Sequence, residues 1–179
     1  MELGRGDILY RRVPWLPKEA QWWKEMGGVN FPEKGFAALR PVADPPRRDE
    51  SGAPVPGKAG TRERGLSVDY ANVPSARAAS AAALDDLEGY RVVGFYVGEL
   101  LDLGLIIEVD PTYPGHPAYL ESRGPNPHHT VIIGTPACSL LSKPGRKALH
   151  ILAYHVDINT GVLTEKYLAM KRRLGVADT

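Results

Sequence analysis

Five short runs of this chain carry the spacing of β-strands. Ile8 to Val13 is rich in β-formers and ends at Pro14. Leu66 to Tyr70 alternates apolar and polar residues, as a half-buried strand does. Tyr90 to Val97, Leu105 to Val109 and Thr130 to Gly134 are apolar runs bounded by glycine or proline. In the first run Arg11 and Arg12 must point to opposite faces, so one of them is expected toward the interior or a cleft.

Between the strands the period changes. Lys18 to Met26 predicts one or two helical turns, ended by Gly27 and Gly28. Ser75 is placed to cap a helix with the body ARAASAAALDDL, since alanine is the best helix former. Glu99 to Leu103 predicts a short helix stopped by Gly104. From Arg146 to Tyr154, the residues Ala148, Leu149, Leu152 and Ala153 form an apolar stripe at helical spacing. Asp157 to Gly161 reads as a turn, and Thr164 with Glu165 starts a last helix, TEKYLAMKRRLG. No regular βαβ period is present. The expected fold is α+β, one domain over residues 1–179, with a mixed or antiparallel sheet of about five strands and three to four helices.

One stretch interrupts this pattern. Residues 43–65 hold no aromatic residue and almost no apolar one, but are rich in Pro, Gly and both signs of charge. Such a segment buries too little surface to offset its ordering entropy. It is expected to be a mobile insertion within the domain, because too little chain precedes it to form a core. Its Arg47, Arg48, Arg62 and Arg64 are either solvated charges or contacts to a phosphate backbone. Trp15, Trp22 and Trp23 read first as core packing with a lid, and second as a base-stacking platform.

Composition narrows the function classes. The chain has 179 residues, 43% hydrophobic and 24% charged, which is ordinary for a globular protein. A formal net charge of +1 gives no overall field to recruit nucleic acid or anionic lipid. The single cysteine, Cys138, excludes an internal disulfide and any zinc site built on a cysteine pair, and fits a reducing cytoplasm. The opening MELGRGDILYRR has no apolar core of a signal segment. The run from Val92 to Val109 is broken by Gly94, Gly98, Glu99, Asp102, Gly104 and Glu108, so no membrane span is expected. There is no Walker loop, no G-x-G-x-x-G and no G-x-S-x-G. His150 and His155 lie five apart and do not share a helical face, so no metal site is expected. Arg5-Gly6-Asp7 matches an adhesion tripeptide too short to carry weight.

The clearest candidate chemistry lies in RGPNPHHTVIIG, from Arg123 to Gly134. A Pro-rich loop brings His128 and His129 to the start of a strand. Two consecutive strand residues face opposite ways, so only one can serve a given site. As a general acid or base, that histidine would need an orienting partner. Glu99, Asp69, Asp110 and Glu121 are the candidates. As a structural residue it would pin the long preceding loop to the strand. In the last helix Lys171, Arg172 and Arg173 suit the negative end of the helix dipole, with phosphate contact as the alternative.

Several segments together resemble a family of small uncharacterised bacterial proteins. They are Leu9-Tyr10-Arg11-Arg12-Val13, Phe36 with Arg40-Pro41, Leu66-Ser67-Val68, Gly98-Glu99-Leu100 before Leu103-Gly104-Leu105, Asp110-Pro111, and Asn126-Pro127-x-His129-x-x-Ile132. The resemblance spans about Tyr10 to Lys147 and implies Arg11 or Arg12, Ser67, Glu99 and His129 as the set to test. His128 stands where that family has a small residue, which favours His129. The chain departs from the pattern in residues 43–65, in the loop Tyr113 to Gly124 and in its last helix. The opening also resembles ADP-ribosyltransferase-like folds. That likeness implies NAD as ligand, Arg11 on its phosphate or ribose, Ser67 beside the nicotinamide and Glu99 acting on the ribose. Ser67 is followed by Val68-Asp69 in place of the usual S-x-S/T.

Three functions follow as expectations. The first is a non-enzymatic interaction module of a bacterial multi-component system of the defence or toxin type. It would need no cofactor and would bind a protein partner or nucleic acid. If nucleic acid, Arg47, Arg48, Arg62, Arg64, Lys171, Arg172 and Arg173 should act together with steep salt dependence. The second is an NAD- or nucleotide-processing enzyme built on Arg11, Ser67, Glu99 and His129. A plain structural subunit of a larger assembly, with an exposed patch at Trp15, Trp22 or Trp23, is a third.

Overall fold

A computed structural model describes residues 2–14, 66–71, 90–116, 119, 121, 124–140 and 142–175. The expected helices at Lys18–Met26 and after Ser75, the tryptophans, and the charged stretch 43–65 lie outside the described residues. So do Arg47, Arg48, Arg62 and Arg64.

The described chain forms one seven-stranded sheet: β1 (Ile8–Pro14), β2 (Leu66–Ala71), β3 (Tyr90–Tyr96), β4 (Ile106–Val109), β5 (His129–Ile133), β6 (Tyr154–Val156) and β7 (Leu163–Lys166). The strand order is β4-β5-β2-β1-β3-β6-β7, and every pairing is antiparallel. The fold is therefore α+β on an antiparallel sheet, with two strands more than the about five expected. All five expected strands are present. The added pair is β6 and β7, joined through the expected turn at Asp157–Gly161. Both are short. Tyr154 continues the helical apolar stripe, and Thr164-Glu165 imitates a helix cap, so their strand character is masked by the neighbouring helices.

Three helices are described: α1 (Val97–Asp102), α2 (Lys143–Leu152) and α3 (Tyr167–Arg173). The start of α2 corrects the expected Arg146. Ser142 caps it, its Oγ accepting from the Gly145 amide at 3.1 Å and donating to the Ser139 carbonyl at 2.7 Å. Pro144 fits the first turn because its missing N–H would have no helical partner there. A side chain at Gly145 would fall onto the Ser139 carbonyl, so this turn needs glycine.

All three helices pack on one face of the sheet. Val97 and Leu100 from α1, Leu149 from α2, and Tyr167 and Met170 from α3 join Leu9, Leu66, Val68, Tyr70, Val93, Phe95 and Ile132 in the main core. Each such fully buried apolar side chain contributes roughly 1.5–3 kcal/mol. The other face carries a smaller cluster of Ile8, Tyr10, Val92, Val156 and Leu163. There the Tyr10 hydroxyl donates to the Gly161 carbonyl at 2.7 Å, tying the β6–β7 turn to the middle of the sheet. Among the described residues no helix is long and apolar enough to cross a membrane.

Candidate functional site

Strand register places polar residues in a row on the face opposite the helices. Tyr10 pairs with Asp69, and Asp69 with His129. Beyond His129, Asp110 just past β4 donates its amide to the His129 carbonyl at 2.9 Å. Side chains at paired positions share a face, so Asp110, His129, Asp69 and Tyr10 lie side by side across four neighbouring segments.

Described residues between Asp110 and His128 return to one end of this row, and their local sequence explains how. Tyr113-Pro114-Gly115-His116 has the arrangement of a type II turn. Pro114 occupies the second position, Gly115 has φ +99°, and the His116 amide donates to the Tyr113 carbonyl at 2.9 Å. The turn sends His116 back to its own loop base, where Nε2 lies 3.1 Å from both Asp110 carboxylate oxygens. At the other end Asn126 does two things. Its Oδ1 accepts from the His128 amide at 2.9 Å, and its Nδ2 donates to Asp69. Thr112 and Asn126 exchange two backbone hydrogen bonds of 2.9 Å, which shut the loop at its base.

His129 is only 7% exposed. Its Nδ1 lies 2.6 Å from the Asp110 carbonyl oxygen and 3.9 Å from the Asp110 carboxylate. A carbonyl only accepts, so the proton of this bond sits on Nδ1. The rings of His116 and His129 meet edge to face with centroids 5.9 Å apart. His128 faces the other way, with its ring against Tyr70, 5.4 Å between centroids. The two histidines thus serve opposite faces, as strand alternation requires. Of the four expected partners of His129, Asp110 is beside it and Asp69 is its cross-strand neighbour. Glu121 sits exposed in the long loop, and Glu99 belongs to a different cluster.

The four residues expected for an NAD site fall in different places. Arg11 pairs with Val93 on the helix-covered face, opposite to His129. Glu99, on α1, accepts from the Tyr154 hydroxyl at 2.9 Å and pairs with Lys166 at 3.3 Å. Lys166 also donates to the Leu152 carbonyl and covers the Tyr154 ring at 3.7 Å. Tyr154 belongs to β6, four strands from His129, or about 19 Å at ordinary strand spacing. Ser67 pairs with Val131 through the backbone, and its side chain lies outside the described residues. Of the basic residues in α3, Lys171 is 2% exposed and lies near the Tyr167 ring, Arg173 pairs with Glu165 at 2.6 Å, and Arg172 is exposed. Among the described residues no three His, Cys, Asp or Glu side chains are spaced to hold a metal ion.

His116 is the site residue that strand and loop patterns in the sequence did not single out. The signal that could have found it is Pro114-Gly115, which marks a tight turn directing the next residue back toward Asp110-Pro111. No family model, curated protein or solved structure matches this chain.

Proposed function

We propose that this chain is an interaction module that binds a protein partner along the β4 edge of its sheet, within a bacterial multi-component system of the defence or toxin type. The observation that carries the reading is the character of that edge. Strand β4 ends the strand order, with Ile107 and Val109 packed against the main core. Ile106 on its other face is 48% exposed, and Tyr113, just beyond its end, is 52% exposed. An edge strand flanked by exposed apolar and aromatic side chains suits an extended partner segment. Main-chain bonds then supply affinity and side-chain contacts supply choice. The shortness of β4 and its charged Glu108 guard against indiscriminate pairing.

A nucleic-acid partner has less support. Burial of Lys171 and pairing of Arg173 leave the basic end of α3 poorly placed for phosphate. The NAD-processing reading has one observation in its favour, the carboxylate-held His116 beside His129. The separation of Arg11, Glu99 and His129 weighs against the set from which it began.

The test is affinity capture from the native host with the intact chain and with Ile106→Lys. A partner retained by the wild type and lost by Ile106→Lys supports the module. Equal retention by both refutes docking at β4. Consumption of NAD by the purified protein would move the assignment to the enzyme.

A further inference from the structure

We infer, resting on the reading that a partner docks at β4, that the docking segment carries a basic residue between two apolar ones, with its lysine or arginine beside Glu108. One hydrogen bond fixes which backbone groups β4 offers. The Asp110 amide donates to the His129 carbonyl at 2.9 Å, so Asp110 turns its backbone toward β5. Backbone direction alternates along an antiparallel strand, and Ile106 and Glu108 therefore turn toward β5 as well. Ile107 and Val109 turn theirs to the open edge. The run of outward amides stops on both sides. Pro111 has no N–H, and the Leu105 amide donates to the Leu100 carbonyl of α1 at 3.2 Å. A docking segment is thus registered on Ile107 and Val109, each with one N–H and one C=O.

Side chains at paired positions share a face. Partner residues opposite Ile107 and Val109 extend the rim of the main core, where apolar side chains fit. The residue between them falls on the other face, beside Glu108, which is exposed. A carboxylate accepts from several donors at once, so contacts of Glu108 within the chain leave it able to take a lysine or arginine as well. The same register works against a second copy of this chain. Two antiparallel β4 strands engage all of these backbone groups when Ile107 of one copy lies opposite Val109 of the other. Glu108 then lies opposite Glu108, and like charges directly opposite each other destabilise the pair. The edge therefore discourages self-pairing and favours a basic partner.

Nuclear magnetic resonance titration of the intact chain with two short synthetic peptides tests this. One has a Val-Lys-Val centre flanked by threonines, and the other has Val-Glu-Val in the same frame. The lysine peptide should shift the amides of Ile107 and Val109 and bind roughly two- to tenfold more tightly than the glutamate peptide. Glu108→Lys should invert that order. Glu108→Gln keeps the size of the side chain and should erase it, which decides the matter if Glu108→Lys does not fold. Shifts at Ile107 and Val109 with equal affinity for the two peptides, or a preference unchanged in Glu108→Gln, would overturn the basic selection while docking at β4 stands. No shift at either amide with either peptide would overturn both.

Discussion

Replacing Gly145 by alanine sets two physical effects against each other, and the structure decides the sign. In an ordinary helix interior, Gly→Ala stabilises by about 1 kcal/mol, because glycine loses more backbone freedom on folding. Gly145 lies in the first turn of α2, where an added Cβ would overlap the Ser139 carbonyl oxygen and crowd its carbon at 2.8 Å and the Ser142 Oγ at 3.2 Å. Two of these neighbours are backbone and cannot rotate aside. The turn at Ser139–Ser142 must move, and with it go the Ser142 cap on the Gly145 amide and the Ser142 bond to Ser139. Loss of the cap costs about 1 kcal/mol, and loss of the second bond about 1 kcal/mol more. Displacing α2 also loosens the packing of Leu149, which is fully buried in the main core. Set against the usual gain, the net effect is destabilisation by about 1–3 kcal/mol. Urea unfolding followed by far-ultraviolet circular dichroism should show a lower midpoint with an unchanged slope. A midpoint raised by the equivalent of about 1 kcal/mol would refute the close approach at Ser139.

Three further outcomes follow from single side chains. Tyr10→Phe leaves the Gly161 carbonyl without its hydroxyl donor inside the small cluster, and should cost about 1–2 kcal/mol in the same assay. Burial holds His155 below its ordinary value, only partly opposed by Glu165, so the unfolded chain binds its proton more readily. The stability it contributes is present above the unfolded value and lost as pH falls toward the folded one. His155→Asn should therefore show a shallower loss of stability than wild type across mildly acidic pH. Burial pushes the Cys138 thiol up, so iodoacetamide should label it much more slowly in the folded protein than in urea. Equal rates would be incompatible with its placement in the core.

Strands β1 to β5 were legible because each carries β-formers between clear punctuation. The short pair β6 and β7 was not, since Tyr154 to Val156 follows α2 after a single residue. Its apolar residues extend the helical stripe rather than breaking it. The start of α2 was hidden for a related reason: Lys143-Pro144-Gly145 reads as loop chemistry until Ser142 is seen as the cap. At the candidate site, Asn126 to His129 was legible as the join between a loop and a strand. The Asp69–Asn126 bond and the return of His116 were not. They depend on register between segments 57 residues apart and on a turn whose outcome only the folded loop reveals. Arg11 and Glu99 share sequence neighbourhoods suited to a site, but strand parity and sheet width separate them from His129.

Docking of a protein partner on the exposed apolar edge at β4 leaves a direct physical trace, a short distance between that edge and the partner. A photo-reactive amino acid placed at position 106, at 113 and, as a control, at the exposed turn residue 159 reads that distance by cross-linking in the native host. Docking at β4 should give one dominant protein adduct shared by positions 106 and 113 and absent from 159. Adducts no more abundant at 106 and 113 than at 159, or adducts to nucleic acid alone, would be incompatible with it.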